Sequence, residues 1–323
     1  MTLDPEIAEL LPALNADFPP VEKMTGPQVR AAIRSRMPVT ATPEPVGAVF
    51  EHRLPGPAGE VPARIYRPAT TSGAPPPVIV FAHGGGFVFC DLDTHDGLCR
   101  AMANGVSAVV VSVDYRLAPE AQWPAAAEDL YAATQWTAQH ATELGGDPAC
   151  LLVAGDSAGG NLAAVTALLA RDRGGPAISG MALLYPVIAA DFGTETYRRY
   201  GVGFYNTRAA MEWYWDQYLP ALADRAHPYA SPLRAELAGL PPAVVVTAGH
   251  DPLGSEGEQF ANALAAAGVP TVHRCYAGAI HGFMTMAGLS LAARARRQAW
   301  ADIARLVSTA RSAGGHPPSV AQP

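Results

Sequence analysis

The segment "VAGDSAGGNLAAV", residues 153–165, joins an apolar run to a helical pattern through a turn of small residues. Within it, Gly155 to Gly159 fits the pattern G-x-S-x-G, in which a strand ends, a sharp turn exposes a serine hydroxyl and a helix begins. Small residues two positions before and after Ser157 keep the neighbouring backbone free of clashes. The segment therefore predicts a strand–turn–helix unit that presents Ser157 as a nucleophile. A glycine-rich turn with an N-capping serine is the alternative.

Apolar runs and helical patterns alternate on both sides of this segment. The runs with strand character are "PVIVFAH" (77–83), "SAVVVSVD" (107–114), "CLLVAG" (150–155), "SGMALLYP" (179–186), "PPAVVVTAG" (241–249) and "TVHRCYAG" (271–278). Helical patterns lie near 94–104, 123–142, 256–267 and 289–308, and another begins at 158. This alternation predicts an α/β fold in which helices cover both faces of a mostly parallel sheet. Two earlier runs, 46–56 and 60–68, predict an antiparallel hairpin at the sheet edge, which makes about eight strands.

Two regions interrupt the alternation: residues 1–45 and residues 188–231. The sequence predicts helices in the first region. In the second it predicts a helix over 207–219 that Asn206 or Thr207 caps. Together the two regions are expected to form a helical cap over a core made of 46–187 and 232–312. Residues 313–323 lack apolar periodicity and are expected to be disordered.

The predicted cap helix carries large apolar side chains at helical spacing. They are Met211, Tyr214, Trp215 and Tyr218. We interpret three of them, Met211, Trp215 and Tyr218, together with Phe87, as the wall of a substrate pocket. Ordinary packing of this stripe is the alternative, and it too requires a surface for the stripe to pack against.

A glycine loop, "HGGGF" at 83–87, follows another predicted strand. Consecutive glycines leave backbone N–H groups unobstructed, so the loop can donate hydrogen bonds to a developing oxyanion. We expect Gly85, Gly86 and Ala158 to donate, with Gly84 in the same oxyanion hole as the residue that holds the turn. A phosphate-binding loop is disfavoured, because the Lys-Ser/Thr ending of a P-loop and the G-x-G-x-x-G spacing are both missing.

A serine hydroxyl needs a base before it becomes a strong nucleophile. His281 follows the last predicted strand and Asp251 follows the strand before it. The carboxyl ends of parallel strands meet at one sheet edge, so we expect both beside Ser157 as base and orienting carboxylate. Asp156 and Glu256 are rival carboxylates, but Asp156 adjoins the serine in sequence and Glu256 starts a helix as a partner of its dipole. The order Ser–Asp–His is the order found in α/β-hydrolases.

These motifs together resemble the hormone-sensitive-lipase family of carboxylesterases, in the group whose serine turn reads GDSAG. The resemblance covers about residues 45–310 and includes "HGGGF", "DYRLAPE" (114–120), "GDSAGG", "YASPL", "DPL" (251–253) and "HGF" (281–283). It implies an α/β-hydrolase with a helical cap that hydrolyses short-acyl carboxylic esters through an acyl-enzyme. Gly254 and Ser255 depart from the acid or long polar residue usual after "DPL". In "DYRLAPE" we expect Arg116 and Glu120 to be structural, with Arg116 paired to Asp156.

Composition excludes several classes of protein. The chain has 323 residues, 49% of them hydrophobic, which suffices for a large core. Its net charge of −7 comes without a basic stripe, which argues against a nucleic-acid partner. No apolar run reaches the roughly 20 residues of a membrane span, and the acidic N-terminus does not resemble a secretory signal, so we expect a cytoplasmic protein.

The cysteines and histidines narrow the chemistry further. The four cysteines (Cys90, Cys99, Cys150 and Cys275) are scattered and are expected to be reduced and mostly buried, with Cys90 beside a cavity. No H-E-x-x-H or comparable spacing predicts a metal, and no cofactor is expected. The expected partner is a small-molecule ester, and a homodimer through an edge strand stays open. Amidase or lactonase activity, or a noncatalytic receptor on the same fold, are the alternatives.

Overall fold

The computed structural model describes residues 2–36, 43–71 and 73–314. Its centre is an eight-stranded sheet in the order β1-β2-β4-β3-β5-β6-β7-β8. The strands are β1 (Ala48–Gly56), β2 (Gly59–Arg67), β3 (Val78–Ala82), β4 (Val109–Val113), β5 (Leu151–Asp156), β6 (Gly180–Leu184), β7 (Ala243–His250) and β8 (Thr271–Ile280). Strands β3 to β8 run parallel, whereas β1 and β2 form an antiparallel pair that joins the sheet at β4. The mostly parallel sheet and its edge hairpin, both expected from the sequence, are confirmed.

Every residue of the central strands β3, β4, β5 and β6 is buried. Parallel strands with helices on both faces are enclosed on both sides, which is why these segments are continuous apolar runs. Alternate side chains of β3 belong to different layers. Val78 and Val80 pack in one apolar cluster, and Ile79 and Phe81 pack in the other.

Helices cover both faces of this sheet. The helices in the described ranges are α1 (Pro5–Asp17), α2 (Gly26–Arg36), α3 (Asp96–Val106), α4 (Ala125–His140), α5 (Ala158–Asp172), α6 (Glu195–Tyr200), α7 (Arg208–Tyr218), α8 (Gly254–Ala266) and α9 (Ser290–Gly314). Helices α3 and α9 pack together on one face, and α4 and α5 pack together on the other. Helix α9 runs past the expected end near residue 308. Of the tail 313–323 that was expected to be disordered, residues 313 and 314 belong to this helix, and 315–323 lie outside the described residues.

The segments outside the strand–helix alternation contain α1 and α2 at the N-terminus and α6 and α7 between β6 and β7. Helix α7 packs against the 3₁₀ turn Val21–Lys23 of the N-terminal segment. It begins as expected, because the Thr207 hydroxyl accepts a hydrogen bond from the Ala210 N–H. The division of the chain at residues 45, 187 and 231 stays a prediction. No helix in the described ranges has the length and apolarity needed to cross a bilayer.

Candidate active site

Three strands, β5, β7 and β8, bring the predicted serine, aspartate and histidine to one edge of the sheet. Ser157 follows β5, Asp251 follows β7 and His281 follows β8. The His281 Nδ1 atom lies 2.7 Å from Asp251 Oδ2, and its Nε2 atom lies 2.8 Å from Ser157 Oγ. One imidazole therefore connects a carboxylate to a serine hydroxyl by direct hydrogen bonds, across more than a hundred residues of sequence.

The turn at Ser157 is strained and tightly enclosed. Ser157 has φ 54° and ψ −117°, a conformation that residues other than glycine rarely adopt. Its N–H donates to Leu184 O at 2.9 Å. A Cβ atom at Gly155 would lie 2.2 Å from the Gly159 carbonyl oxygen, and one at Gly159 would lie 1.9 Å from the Ala82 oxygen. Both glycines are therefore required for the strand to turn directly into α5.

Asp251 and His281 are well ordered by their surroundings. Asp251 is completely buried, and while its Oδ2 atom faces the imidazole its Oδ1 atom accepts the Leu253 N–H at 2.9 Å. His281 is 9% exposed, and the ring of Tyr185 packs edge-on against it with centroids 5.1 Å apart. With both carboxylate oxygens bonded, the carboxylate fixes which imidazole nitrogen carries the proton and leaves Nε2 able to accept from Ser157.

The two rival carboxylates bind elsewhere. The Asp156 carboxylate accepts the N–H of Gly84 at 2.9 Å. Glu256 lies in the first turn of α8, but its carboxyl is buried and accepts the N–H of Ile188 at 2.8 Å. Burial raises the pKa of Glu256 well above its usual range. Glu256 thus starts α8 as expected, and its buried carboxyl also binds a backbone N–H of the segment that follows β6.

In the glycine loop, the carbonyl oxygens of Gly84 and Gly85 are hydrogen-bonded. The Gly84 oxygen faces His83 Nδ1 at 2.8 Å, and the Gly85 oxygen accepts the Val88 and Phe89 N–H groups at 2.9 and 3.0 Å. In a trans peptide the C=O and N–H point in opposite directions, so the N–H groups of Gly85 and Gly86 point away from these partners. No acceptor for either N–H, or for that of Ala158, lies in the described part of the chain.

Gly84 differs from the two glycines that follow it. Its N–H already donates to Asp156, which agrees with its expected role as the residue that holds the turn and leaves it without a free donor for an oxyanion. Gly85 and Gly86 have φ values of +101° and +58°. A Cβ atom at Gly85 would lie 2.2 Å from Phe89 O, and one at Gly86 would lie 2.5 Å from the Tyr214 ring. Close approach of backbone and cap helix thus explains the glycine run.

The sequence model of a family described as the alpha/beta hydrolase fold matches residues 79–285. The chain belongs to this family, in its hormone-sensitive-lipase-like branch. It is 47% identical over 245 residues to the carboxylic ester hydrolase LipN of Mycobacterium tuberculosis. The matched residues make up 74% of this chain and 65% of LipN, so the match spans just under two thirds of that protein. It is 33% identical over 289 residues to an arylesterase of Saccharolobus solfataricus, which covers 88% of this chain and 93% of that protein.

A solved structure agrees with these sequence relatives. The hyperthermophilic esterase from Pyrobaculum calidifontis matches this α/β-hydrolase with a TM-score of 0.89 and 42% identity. The match covers 95% of this chain and 99% of that one.

The residues predicted to wall a pocket form one buried cluster in this hydrolase. Phe87 stacks on Tyr218 with ring centroids 3.8 Å apart, and Trp215 meets each of them edge-on at 6.1 Å. Met211 belongs to the same apolar cluster, and each of these side chains is at most 2% exposed. The Trp215 Nε1 and Tyr218 hydroxyl groups have no hydrogen-bond partner among the described residues. Helix α7 therefore packs directly on Phe87, the residue that ends the glycine loop.

The predicted pair of Arg116 and Asp156 is wrong. Arg116 instead forms a bidentate pair with Asp129 of α4, with both N–O distances at 2.8 Å. Asp129 is completely buried and also accepts the Arg116 N–H, so the pair anchors α4 to the loop after β4. Glu120 pairs with Arg30 of α2, which agrees with the structural role expected for it.

The cysteines are free thiols, with Cys99 and Cys150 buried and Cys275 exposed. Cys90 lines a cavity of about 170 Å³ beside Arg34 and Asp114, and burial raises the pKa of its thiol. It is thus not an activated nucleophile. Within the described ranges, no group of three or more His, Cys, Asp or Glu side chains has the geometry to hold a metal ion.

Proposed function

We propose that this α/β-hydrolase hydrolyses short-acyl carboxylic esters through an acyl-enzyme on Ser157. The observation that carries the proposal is the unbroken hydrogen-bonded series from Asp251 through His281 to Ser157 Oγ, at 2.7 and 2.8 Å. The names of the relatives, a carboxylic ester hydrolase and an arylesterase, support the same reaction class.

In the proposed acylation step, His281 Nε2 takes the hydroxyl proton of Ser157 as Oγ attacks the ester carbonyl carbon. Asp251 stabilises the imidazolium that forms. The tetrahedral intermediate then collapses, the bond to the alcohol oxygen breaks, and His281 gives its proton to that oxygen. Deacylation repeats the sequence with water as the nucleophile, which releases the carboxylic acid and restores the serine hydroxyl.

The proposed oxyanion hole consists of the backbone N–H groups of Gly85, Gly86 and Ala158. Two features support it: these donors have no acceptor within the described residues, and Ala158 is the first residue of α5, where N–H groups lack helical partners. One such donor contributes about 3 kcal/mol to stabilising a tetrahedral transition state. The substrate carbonyl oxygen would gain negative charge at the position that these groups face.

Covalent labelling tests the nucleophile. A fluorophosphonate should add one group per chain, located on Ser157 by peptide mass mapping, and should abolish turnover of p-nitrophenyl acetate. The matched Ser157→Ala variant should be neither labelled nor active. Complete inactivation with the label on another serine would overturn the assignment. Labelling of Ser157 without turnover of any ester would favour a noncatalytic receptor.

Location and assembly are part of the proposal. Four free cysteines without a pairing pattern support a reducing compartment such as the cytoplasm. A homodimer is supported by the edge position of β8, where Val272 is 42% exposed and the outer edge of the strand has no partner strand among the described residues. Light scattering coupled to size-exclusion chromatography should give twice the chain mass for the wild type and a lower mass for Val272→Lys. A wild-type mass equal to one chain would contradict the dimer.

A further inference from the structure

A second histidine and carboxylate lie together beside the glycine loop and are separate from Ser157, His281 and Asp251. His95 is 5% exposed and Asp156 is 4% exposed, and His95 Nε2 lies 3.1 Å from Asp156 Oδ1. The same carboxylate oxygen accepts the N–H of Gly84 at 2.9 Å. The reaction proposed above uses neither side chain.

The hydrogen bonds of Thr94 fix one proton on the His95 ring. The single Thr94 O–H lies 2.7 Å from the Asp91 carbonyl oxygen, to which it donates, and the Thr94 oxygen accepts the Asp91 N–H at 2.9 Å. We therefore assign His95 Nδ1 as the donor at its 2.9 Å contact with this hydroxyl. The opposite nitrogen, Nε2, lies 3.1 Å from Asp156 Oδ1 and 3.4 Å from the Gly84 nitrogen. The Gly84 N–H is closer to the carboxylate oxygen, at 2.9 Å, so its main hydrogen bond is to Asp156 and the Nε2–Oδ1 contact is left to a second proton.

We propose that His95 and Asp156 form a buried imidazolium–carboxylate pair that positions the oxyanion-hole donors. This inference rests on the proposed function, because it assigns a purpose to the pair only if Gly85 and Gly86 stabilise a tetrahedral intermediate. His95 and Asp156 are positioning residues, since neither touches the nucleophile. They act on the oxyanion-hole donors through the Gly84 N–H, which Asp156 binds.

The peptides on either side of Gly84 transmit that position. The His83–Gly84 peptide is held at both ends, because its N–H donates to Asp156 and its C=O accepts the Tyr115 hydroxyl at 2.7 Å. The next peptide has its C=O bonded to His83 Nδ1, which directs the Gly85 N–H to the opposite side. A Cβ atom at Gly84 would lie 2.6 Å from Asp156 Oδ2, so the carboxylate seats directly against the loop backbone.

The neighbouring histidine, His83, differs from His95 in its proposed charge. Burial, together with the nearby charge of His95, lowers the pKa of His83 to about 4. His83 is therefore neutral at neutral pH and donates through Nδ1 to the Gly84 oxygen. The two rings lie 5.6 Å apart, and His83 stacks on Tyr115 at 4.3 Å. One charged and one neutral histidine thus hold successive peptides of the loop.

Steady-state kinetics test the positioning role through the variants His95→Gln and Asp156→Asn. Each should lower kcat about ten- to a hundredfold, because displacing a donor by less than an ångström weakens an interaction made in the transition state. KM should stay within about twofold, since substrate binding does not depend on that interaction. The double variant should lose no more than the worse single variant, because the two residues act as one unit.

A tetrahedral inhibitor separates positioning from general damage. The inhibition constant of an alkylboronic acid, whose serine adduct places an oxygen among these donors, should rise by about the same factor as kcat falls. Rates are divided by the active-site concentration from fluorophosphonate titration, which removes the effect of misfolded protein. His140→Gln is the matched control, since its imidazole bonds and stacks on Trp136 within α4, and it should change neither kcat nor boronate affinity. A loss of kcat with unchanged boronate affinity overturns the proposal.

The charge state is tested on the wild-type protein, whether or not the variants fold. Nitrogen-15 NMR of histidine-labelled protein at neutral pH should show both ring nitrogens of His95 protonated. The resonances are assigned by substituting the histidines one at a time and noting which signal disappears. A single protonated nitrogen on His95 overturns the ion pair. This measurement needs no turnover, so failure of the esterase proposal appears separately, as a wild-type protein that neither hydrolyses esters nor reacts at Ser157.

Discussion

At the scale of single residues, Asp251 makes the sharpest prediction. Asp251→Asn should lower kcat for p-nitrophenyl butyrate about 10⁴-fold, because an amide can stabilise the wrong imidazole tautomer and no longer balances the imidazolium. Circular dichroism should show an unchanged fold, since the amide oxygen can still accept the Leu253 N–H. A loss of less than tenfold would contradict the assigned role.

Glu256 supplies the matched carboxylate for that comparison. Glu256→Gln should keep kcat within about twofold, because a glutamine has the shape of the carboxyl, whose pKa burial raises, and its oxygen can accept the Ile188 N–H. Glu256→Ala should lower the free energy of unfolding by about 1–3 kcal/mol, since it leaves a buried N–H unpaired. If Glu256→Gln lost as much activity as Asp251→Asn, with both folded, the two roles would be exchanged.

The three residues that the sequence predicted to meet share a simple geometry. Ser157, Asp251 and His281 each follow a strand of one parallel sheet, so the topology alone brings them to one edge. Side-chain pairs whose contact depends on how a helix packs against the sheet could not be predicted from the strand order. Arg116 and Asp129 meet because α4 lies against the loop after β4, and the contact between His95 and Asp156 depends on the placement of α3.

At the scale of elements, helix α7 packs its buried face against the glycine loop. Its buried face carries Met211, Tyr214, Trp215 and Tyr218. Tyr214 covers Gly86, and Tyr218 stacks on Phe87. The periodicity predicted this face and the Thr207 cap, because both are local properties. It did not predict that the face packs on the glycine loop, which is a contact between elements distant in sequence.

Trp215→Ala tests whether this packed face limits the acyl chain. If Trp215 walls the acyl pocket, the variant should shift the optimum of kcat/KM for p-nitrophenyl esters, measured from acetyl to dodecanoyl, towards longer chains. Each methylene that newly fits should gain about 0.8 kcal/mol from apolar burial. The variant should also lose about 3–5 kcal/mol of unfolding free energy, because Trp215 is fully buried.

Val202→Ala is a control in the same inserted segment, since Val202 is 83% exposed, and it should change neither the profile nor the stability. An unshifted optimum in a folded Trp215→Ala protein would mean that the aromatic face only packs. The acyl wall would then have to lie among other residues. Stability alone does not decide the question, because both interpretations predict its loss.

At the scale of the whole molecule, arginines of α2 bind the N-terminal segment to the core. Arg30 donates to the carbonyl oxygens of Val88 and Ala118 at 2.8 and 3.3 Å, and Arg34 bonds to Asp91 at 2.5 Å. The sequence predicted helices here but not their attachment, because the partners are backbone oxygens and carboxylates of loops whose shape no local pattern encodes. The N-terminal segment thus contacts the loop that carries the proposed oxyanion donors.

Asp114 lies in the same junction, where it lines the cavity beside Arg34 and Cys90. Burial, reinforced by the negative charge of Asp91, raises its pKa from 3.8 to about 6. The folded protein therefore binds this proton more tightly than the unfolded chain does. The resulting stabilisation is fully present below about pH 4 and is lost as the pH rises through 6. Solvent screening of a partly exposed group reduces it to about 1 kcal/mol.

Asp114→Asn removes this dependence, because asparagine stays neutral at every pH. Its unfolding free energy, measured in urea relative to wild type, should rise by about 1 kcal/mol between pH 4.5 and 7.5. Asp172→Asn is the control. The hydrogen bond from Arg171 lowers the pKa of Asp172, so that carboxyl titrates below this window and the difference should stay flat. A flat or falling difference for Asp114→Asn would show that the carboxyl is ionised across the whole range, and that the junction between the N-terminal segment and the core carries no proton-linked stability.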